Sequence, residues 1–227
     1  MVTAGYPSSA INTEILDLVS GESCADLADF PFTNKGGVGA DLNGTPIVCG
    51  GSSSGYLQTC YIFSDSTWQK IATMKEKRYV AAGVVFNNKL HVFGGWNGSG
   101  LQTTELIGID GTVEYGPDLP TAVREHAITS FNSTVSILSG GQTSATSFSR
   151  LTWYFNHETQ AFSSGPFLLE GRNRYGSATC VDKVTQEKIP IVTGGYGNGW
   201  ALLDSTEILI GGQWQSGTTQ WKIEIHF

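Results

Sequence analysis

The sequence predicts an all-β protein made of repeated four-stranded antiparallel sheets. Three observations carry that expectation. An apolar strand ending in diglycine recurs four times at steps of 44 to 54 residues. Segments rich in β-branched and aromatic residues follow each copy in a fixed order, and no segment holds a long helical periodicity. Glycine numbers 29 in 227 residues, roughly twice ordinary usage, which suits turns and strands because glycine weakens helices.

The diglycine strands are Ile47-Val48-Cys49-Gly50-Gly51, His91-Val92-Phe93-Gly94-Gly95, Ile137-Leu138-Ser139-Gly140-Gly141 and Ile191-Val192-Thr193-Gly194-Gly195. Their second glycines are separated by 44, 46 and 54 residues. A fifth copy opens the chain, where Val2-Thr3-Ala4-Gly5-Tyr6 parallels Val192-Thr193-Gly194-Gly195-Tyr196. A second motif, Thr13-Glu14-Ile15-Leu16, returns as Thr104-Glu105-Leu106-Ile107 and Thr206-Glu207-Ile208-Leu209.

Each period reads as four strands. In the second they are Val38 to Leu42, an Asn43-Gly44 hairpin signal, Pro46 to Gly51, Gln58 to Phe63, and Thr67 to Ala72 around Trp68. The third repeats the order with Ala81 to Phe86, Leu90 to Gly95, Thr104 to Ile109 and Thr112 to Tyr115. One such sheet cannot bury both faces, so radial face-to-face packing is expected. Small residues suit the strand where sheets converge: Gly39-Ala40, Ala81-Ala82-Gly83 and Gly176-Ser177-Ala178.

Diglycine, then Tyr61, Trp68, Met74 and Arg78-Tyr79 resembles a kelch repeat. In the other copies Val113, Phe162 and Trp214 take the tryptophan position, and Cys24 takes it in the first. Leu119 and Leu169 replace the methionine, and Arg124 and Arg174 keep the arginine. The resemblance spans nearly the whole chain. It implies a kelch-type β-propeller region of about four to five four-stranded antiparallel blades, with approximate limits 1–33 (partial), 34–78, 79–124, 125–174 and 175–220 and a tail 221–227. These blades form an incomplete ring on this reading. The alternative is that the alternating tail, Gln220 to Phe227, supplies a missing strand and closes a five-bladed ring.

The resemblance also implies a binding surface, because the loops after the diglycines and those entering the innermost strands gather on one propeller face. The former carry Ser52, Trp96, Asn97, Gln142, Tyr196 and Trp200; the latter carry Arg78, Arg124 and Arg174. Aromatic and arginine side chains make binding hot spots, and converging arginines suit an acidic protein loop or peptide. The competing reading has the arginines bonding blade-edge carbonyls and the aromatics covering core. A protein-interaction module that is not an enzyme is therefore expected. The alternatives are the substrate-recognition part of a BTB-kelch-like ubiquitin-ligase adaptor and a fragment of a galactose-oxidase-like enzyme.

No GxSxG, HExxH or phosphate-loop pattern occurs. His91, His126, His157 and His226 assemble no ligand set with Tyr, so neither metal nor cofactor is expected. A formal net charge of -7 disfavours nucleic acid. No apolar run reaches a membrane span, and the N-terminus lacks a signal-peptide pattern. Cys49 and Cys60 lie on consecutive expected strands and are placed to pair across a hairpin. With the sequons Asn43-Gly44-Thr45, Asn97-Gly98-Ser99 and Asn132-Ser133-Thr134, that pair leans toward an extracellular protein; buried free thiols in a cytosolic one are the alternative.

Overall fold

The computed structural model describes residues 2–3, 11–16, 23–24, 27–144, 147–182 and 185–217. Regular structure among them is strand throughout, apart from one 3-10 turn at Asn198–Trp200. The chain divides into two compact units. The first holds residues up to Ser99 together with Thr103–Gly116, and the second holds Gly100–Gln102 and Pro117 onward.

The first unit contains three antiparallel sheets. The first sheet joins β1 (Val2–Thr3), β2 (Thr13–Leu16) and β3 (Ser23–Cys24). The second joins β4 (Val38–Leu42), β5 (Thr45–Cys49), β6 (Thr59–Ser64) and β7 (Thr67–Thr73). The third joins β8 (Ala82–Phe86), β9 (Lys89–Phe93), β10 (Thr104–Gly108) and β11 (Val113–Tyr115). The second unit contains a fourth sheet of β12 (Ala127–Ser130), β13 (Val135–Ser139), β14 (Thr152–Asn156) and β15 (Ala161–Ser164). Its fifth sheet joins β16 (Gly176–Val181), β17 (Lys188–Thr193), β18 (Thr206–Ile210) and β19 (Gln213–Ser216). In every sheet the strands lie in sequence order.

Local chemistry explains the hairpins. Asn43-Gly44, Asn87-Asn88 and Gly211-Gly212 all have positive φ at both turn residues, the backbone that matches the strand twist in two-residue turns. The diglycines have another cause. Gly95 sits at φ +102, and an added Cβ there would come within 2.9 Å of Ala81 Cβ and 3.0 Å of the Tyr79 carbonyl. The diglycine also stitches one sheet to the next. The Gly51 N–H donates to the Arg78 carbonyl at 2.7 Å, and the Gly141 N–H donates to the Arg172 carbonyl at 2.8 Å.

Within each unit the first strands of neighbouring sheets lie together, β4 against β8 and β12 against β16. The small residues there allow the approach. A Cβ on Gly83 would meet Val38 Cγ1 at 2.5 Å, and the Thr129 and Thr179 hydroxyls bond at 2.8 Å. Leu42, Ile47, Leu90, Val92 and Ile107 lie in the first unit's core; Ile137, Leu168, Val192, Leu209 and Trp214 form the second unit's. Strand register puts Trp68, Val113, Phe162 and Trp214 at one position, opposite Phe63, Ile107, Phe155 and Leu209.

Two sequence expectations shift by a residue. In the first sheet Leu16 stands where Leu209 does and pairs with Ser23, so the tryptophan position falls on Ser23 and not on Cys24. The methionine position is filled by Leu168, not by Leu169. The N–H groups of Phe30, Met74, Leu119 and Leu168 donate to the equivalent carbonyls of Ile11, Gln58, Gln102 and Arg150, and all four side chains are buried. Leu169 is exposed. The tail 221–227 lies outside the described residues, as do Tyr6 and His226.

Candidate functional site

Four three-residue stretches enter the sheets: Asn34-Lys35-Gly36, Arg78-Tyr79-Val80, Val123-Arg124-Glu125 and Arg172-Asn173-Arg174. The middle residue of each forms an isolated antiparallel bridge to the residue just after a diglycine: Lys35 to Ser52, Tyr79 to Trp96, Arg124 to Gln142 and Asn173 to Tyr196. The third residue of each has positive φ. This register corrects the sequence reading that treated Arg78, Arg124 and Arg174 as equivalents. They occupy the first, middle and third positions, so their side chains leave the backbone in three different directions.

The first position is structural. Arg78 is 1% exposed. Its guanidinium donates to Glu105 Oε1 at 3.0 and 3.1 Å, to the carbonyls of Gly94 and Thr103 at 2.8 Å each, and to Thr103 Oγ1 at 2.8 Å. The Glu105 carboxylate also accepts the N–H groups of Lys75 and Glu76. The fifth sheet repeats this joint. Arg172 donates to Glu207 at 2.7 Å and to the Gly194 and Ser205 carbonyls, and Glu207 accepts the N–H groups of Leu169 and Glu170. Arg78 thus has no guanidinium to offer a partner. The repeated Thr-Glu motif was the signal for this joint, because its glutamate is the arginine's counter-charge.

Arg124 at the middle position and Arg174 at the third are more open than Arg78. Arg124 Nε donates to Gln142 Oε1 at 3.1 Å, and Gln142 itself is buried. Arg174 is half exposed and pairs with the buried Glu125 carboxylate at 2.7 Å. Asn173 Nδ2 donates to the same carboxylate. No motif in the sequence marks Glu125 for this role.

In the first unit the aromatics after the diglycine form a small cluster. Trp96 Nε1 donates to the Tyr56 hydroxyl at 3.0 Å, and the Tyr56 and Tyr79 rings stack at 6.0 Å. The Ser52 N–H donates to the Asn34 carboxamide oxygen at 3.1 Å, and Asn97 is exposed beside Trp96. In the second unit Trp200 is 50% exposed and Leu202, which the sequence reading did not select, is 79% exposed. The Trp200 ring meets Phe148 edge-on at 5.0 Å and Tyr196 at 5.8 Å, with the Arg174 guanidinium 5.6 Å from its centre. Phe148 and Leu202 each bridge back to the residue after their own diglycine, Gln142 and Tyr196.

Among the described residues no three His, Cys, Asp or Glu side chains are grouped to hold a metal. His91 Nε2 bonds the Thr104 hydroxyl at 2.9 Å. Burial pushes His126 and His157 down to about 4. Burial also raises Tyr175, whose hydroxyl donates to the Ser139 carbonyl. Cys49 and Cys60, directly opposite in the β5–β6 register, form a disulfide with Cα atoms 4.1 Å apart. Comparison with protein-family models gives no match, and comparison with curated proteins gives none.

Proposed function

We propose that the chain is a blade array of a kelch-type β-propeller and that it binds a protein or peptide through its diglycine-end loops, chiefly those of the second unit. The observation that carries this reading is Trp200. This bulky residue holds φ 64, a left-handed conformation that costs roughly 1–3 kcal/mol and persists where its surroundings fix it. Phe148 and Tyr196 brace its edges while half of it stays in solvent. Leu202, on the same loop, extends the apolar surface, and the open half of Arg174 supplies a directed cation. An aromatic anchor with an apolar neighbour and a polar rim is the composition of a binding hot spot.

The occupant this suits is a peptide or loop with an apolar side chain beside a carboxylate. The arginines do not make a broadly cationic face. Arg78 is buried in its pair with Glu105, and Arg174 is paired with Glu125 while half of it stays exposed. No described residue specifically favours the ligase-adaptor or oxidase-like alternatives.

A displayed library of random peptides, panned on the purified chain, tests the reading. Enriched peptides should carry an apolar residue near Asp or Glu. Their affinity should fall about tenfold or more on Trp200→Ala, corresponding to about 1.4 kcal/mol or more, and less on Asn88→Ala in the β8–β9 hairpin turn. Peptides that bind the Trp200→Ala chain as well as the parent would reject this site.

A further inference from the structure

We propose that Asn97 and Asn132 are N-glycosylated, so that the mature protein carries two surface glycans. Both asparagines open an Asn-x-Ser/Thr acceptor pattern. Both lie in exposed loops off the sheet faces, Asn97 after the third sheet's diglycine and Asn132 in the β12–β13 hairpin.

The two sites share one local arrangement. Asn97 Oδ1 accepts both the N–H and the hydroxyl of Ser99 at 3.3 Å. Asn132 Oδ1 accepts the Thr134 N–H at 2.9 Å and its hydroxyl at 3.3 Å. The hydroxyl two residues on therefore addresses the carboxamide oxygen in each case, which leaves the carboxamide nitrogen pointing away from those bonds. A bulky hydrophilic substituent on that nitrogen displaces no core residue and breaks no strand pairing. A third sequon, at Asn43, is exposed in the β4–β5 turn, but the Gly44 N–H there donates to Asp41, and the proposal does not rest on it.

The compartment comes from an independent observation. The Cys49–Cys60 disulfide joins two buried residues, and structural disulfides of this kind form and persist in oxidising compartments. Those compartments also house transfer of glycans to asparagine. In the reaction the asparagine side-chain nitrogen attacks the anomeric carbon of a lipid-pyrophosphate-linked oligosaccharide. A nitrogen–carbon bond forms, the carbon–oxygen bond to pyrophosphate breaks, the lipid pyrophosphate leaves and one amide proton is released. No electrons are gained or lost.

A glycan on Asn97 would cover the loop beside Trp96, which removes Asn97 as a partner contact. The glycosylation proposal is otherwise independent of the binding proposal, since neither Trp200 nor Leu202 enters it.

The test uses the full-length gene product isolated from its own host. It is treated with peptide-N-glycosidase in heavy-oxygen water and mapped by mass spectrometry after blocking free thiols. The expected result is a faster-migrating band, heavy-oxygen aspartate at positions 97 and 132, and Cys49 and Cys60 resistant to blocking until reduced. Unmodified asparagine at either position overturns the proposal, whatever the state of the thiols. The parent chain suffices for this mapping. Asn97→Gln and Asn132→Gln then each remove one step of the band shift if the sites are used, and a band unmoved by either variant also overturns the assignment.

Discussion

The third and fifth sheets close their entry joint with a buried ion pair, whereas the second and fourth close it without charge. Arg78 faces Glu105 and Arg172 faces Glu207, all at most 2% exposed. At the corresponding positions the second sheet has Asn34 and Tyr61, and the fourth has Val123 and Trp153. Part of the task is common. Asn34 Nδ2 donates to the Gly50 carbonyl at 3.0 Å, as Arg78 and Arg172 donate to Gly94 and Gly194. The charges, however, come together or not at all. A lone buried charge costs several kcal/mol, so either partner alone is worse than neither. The repeats therefore tolerate wide variation at this joint provided that both sides change together.

The largest effect should come from breaking that rule. Arg172→Met leaves Glu207 buried without its cation, and a loss of about 3–5 kcal/mol is expected. Adding Glu207→Gln removes the orphaned charge yet keeps an acceptor oxygen for one of the N–H groups of Leu169 and Glu170, so about half of the loss should return. Val123→Arg places a charge in the neutral joint and should cost a similar amount. Urea unfolding midpoints measure all three. A double variant no more stable than Arg172→Met would mean that charge is not what the joint balances.

The second sheet offers the next largest contrast, because beside its uncharged joint it carries a covalent cross-link. Removing the Cys49–Cys60 disulfide, which closes a sequence separation of 11 residues, should cost about 3 kcal/mol. A Cys49→Ala/Cys60→Ala chain and the parent unfolded in reductant should have matching midpoints, and reductant should leave the double variant unmoved. A further shift of the variant by reductant would show that another bond contributes.

The strand order, the diglycine turns and, in the second to fifth sheets, the tryptophan position were legible in the sequence because each rests on local signals: alternation, obligatory glycine and turn residues. The cysteine pair was legible because its two members fall on consecutive strands. The roles of the arginines were not. Arginines at three neighbouring positions look alike in a linear pattern, and only the left-handed residue at Val80, Glu125 or Arg174 marks where the chain turns inward. The missing clue was already in the repeat: the Thr-Glu strands at Glu105 and Glu207 accompany Arg78 and Arg172 but not Val123. The methionine position falls on Leu168 instead of the expected Leu169 for a related reason. Two adjacent leucines are indistinguishable until Glu207 takes the N–H of the second and leaves the first to the core. Trp200 was visible as a loop aromatic, yet its bracing by Phe148 joins residues of different repeats and has no sequence signature.

The smallest expected effect is confined to acid and falls on the uncharged joint of the fourth sheet. His126 lies just before β12, and His157 follows β14, where its Nε2 bonds the Ser136 hydroxyl at 2.8 Å. Both are pushed down to about 4 by burial, against about 6.5 in the unfolded chain. Between those values the unfolded chain takes up protons that the folded one refuses. Stability is therefore full above about pH 6.5, declines as the pH falls toward 4, and loses nothing more to these groups below that. The decline is at most about 1.4 kcal/mol per pH unit for each histidine. His126 is the cleaner probe, because neither ring nitrogen has a hydrogen-bond partner. His126→Leu should leave the unfolding midpoint at pH 7.5 nearly unchanged and flatten the slope between about pH 6.5 and 4.5. An unchanged slope would move the acid response away from the neutral joint, toward the ion-paired sheets, and would reverse this part of the comparison.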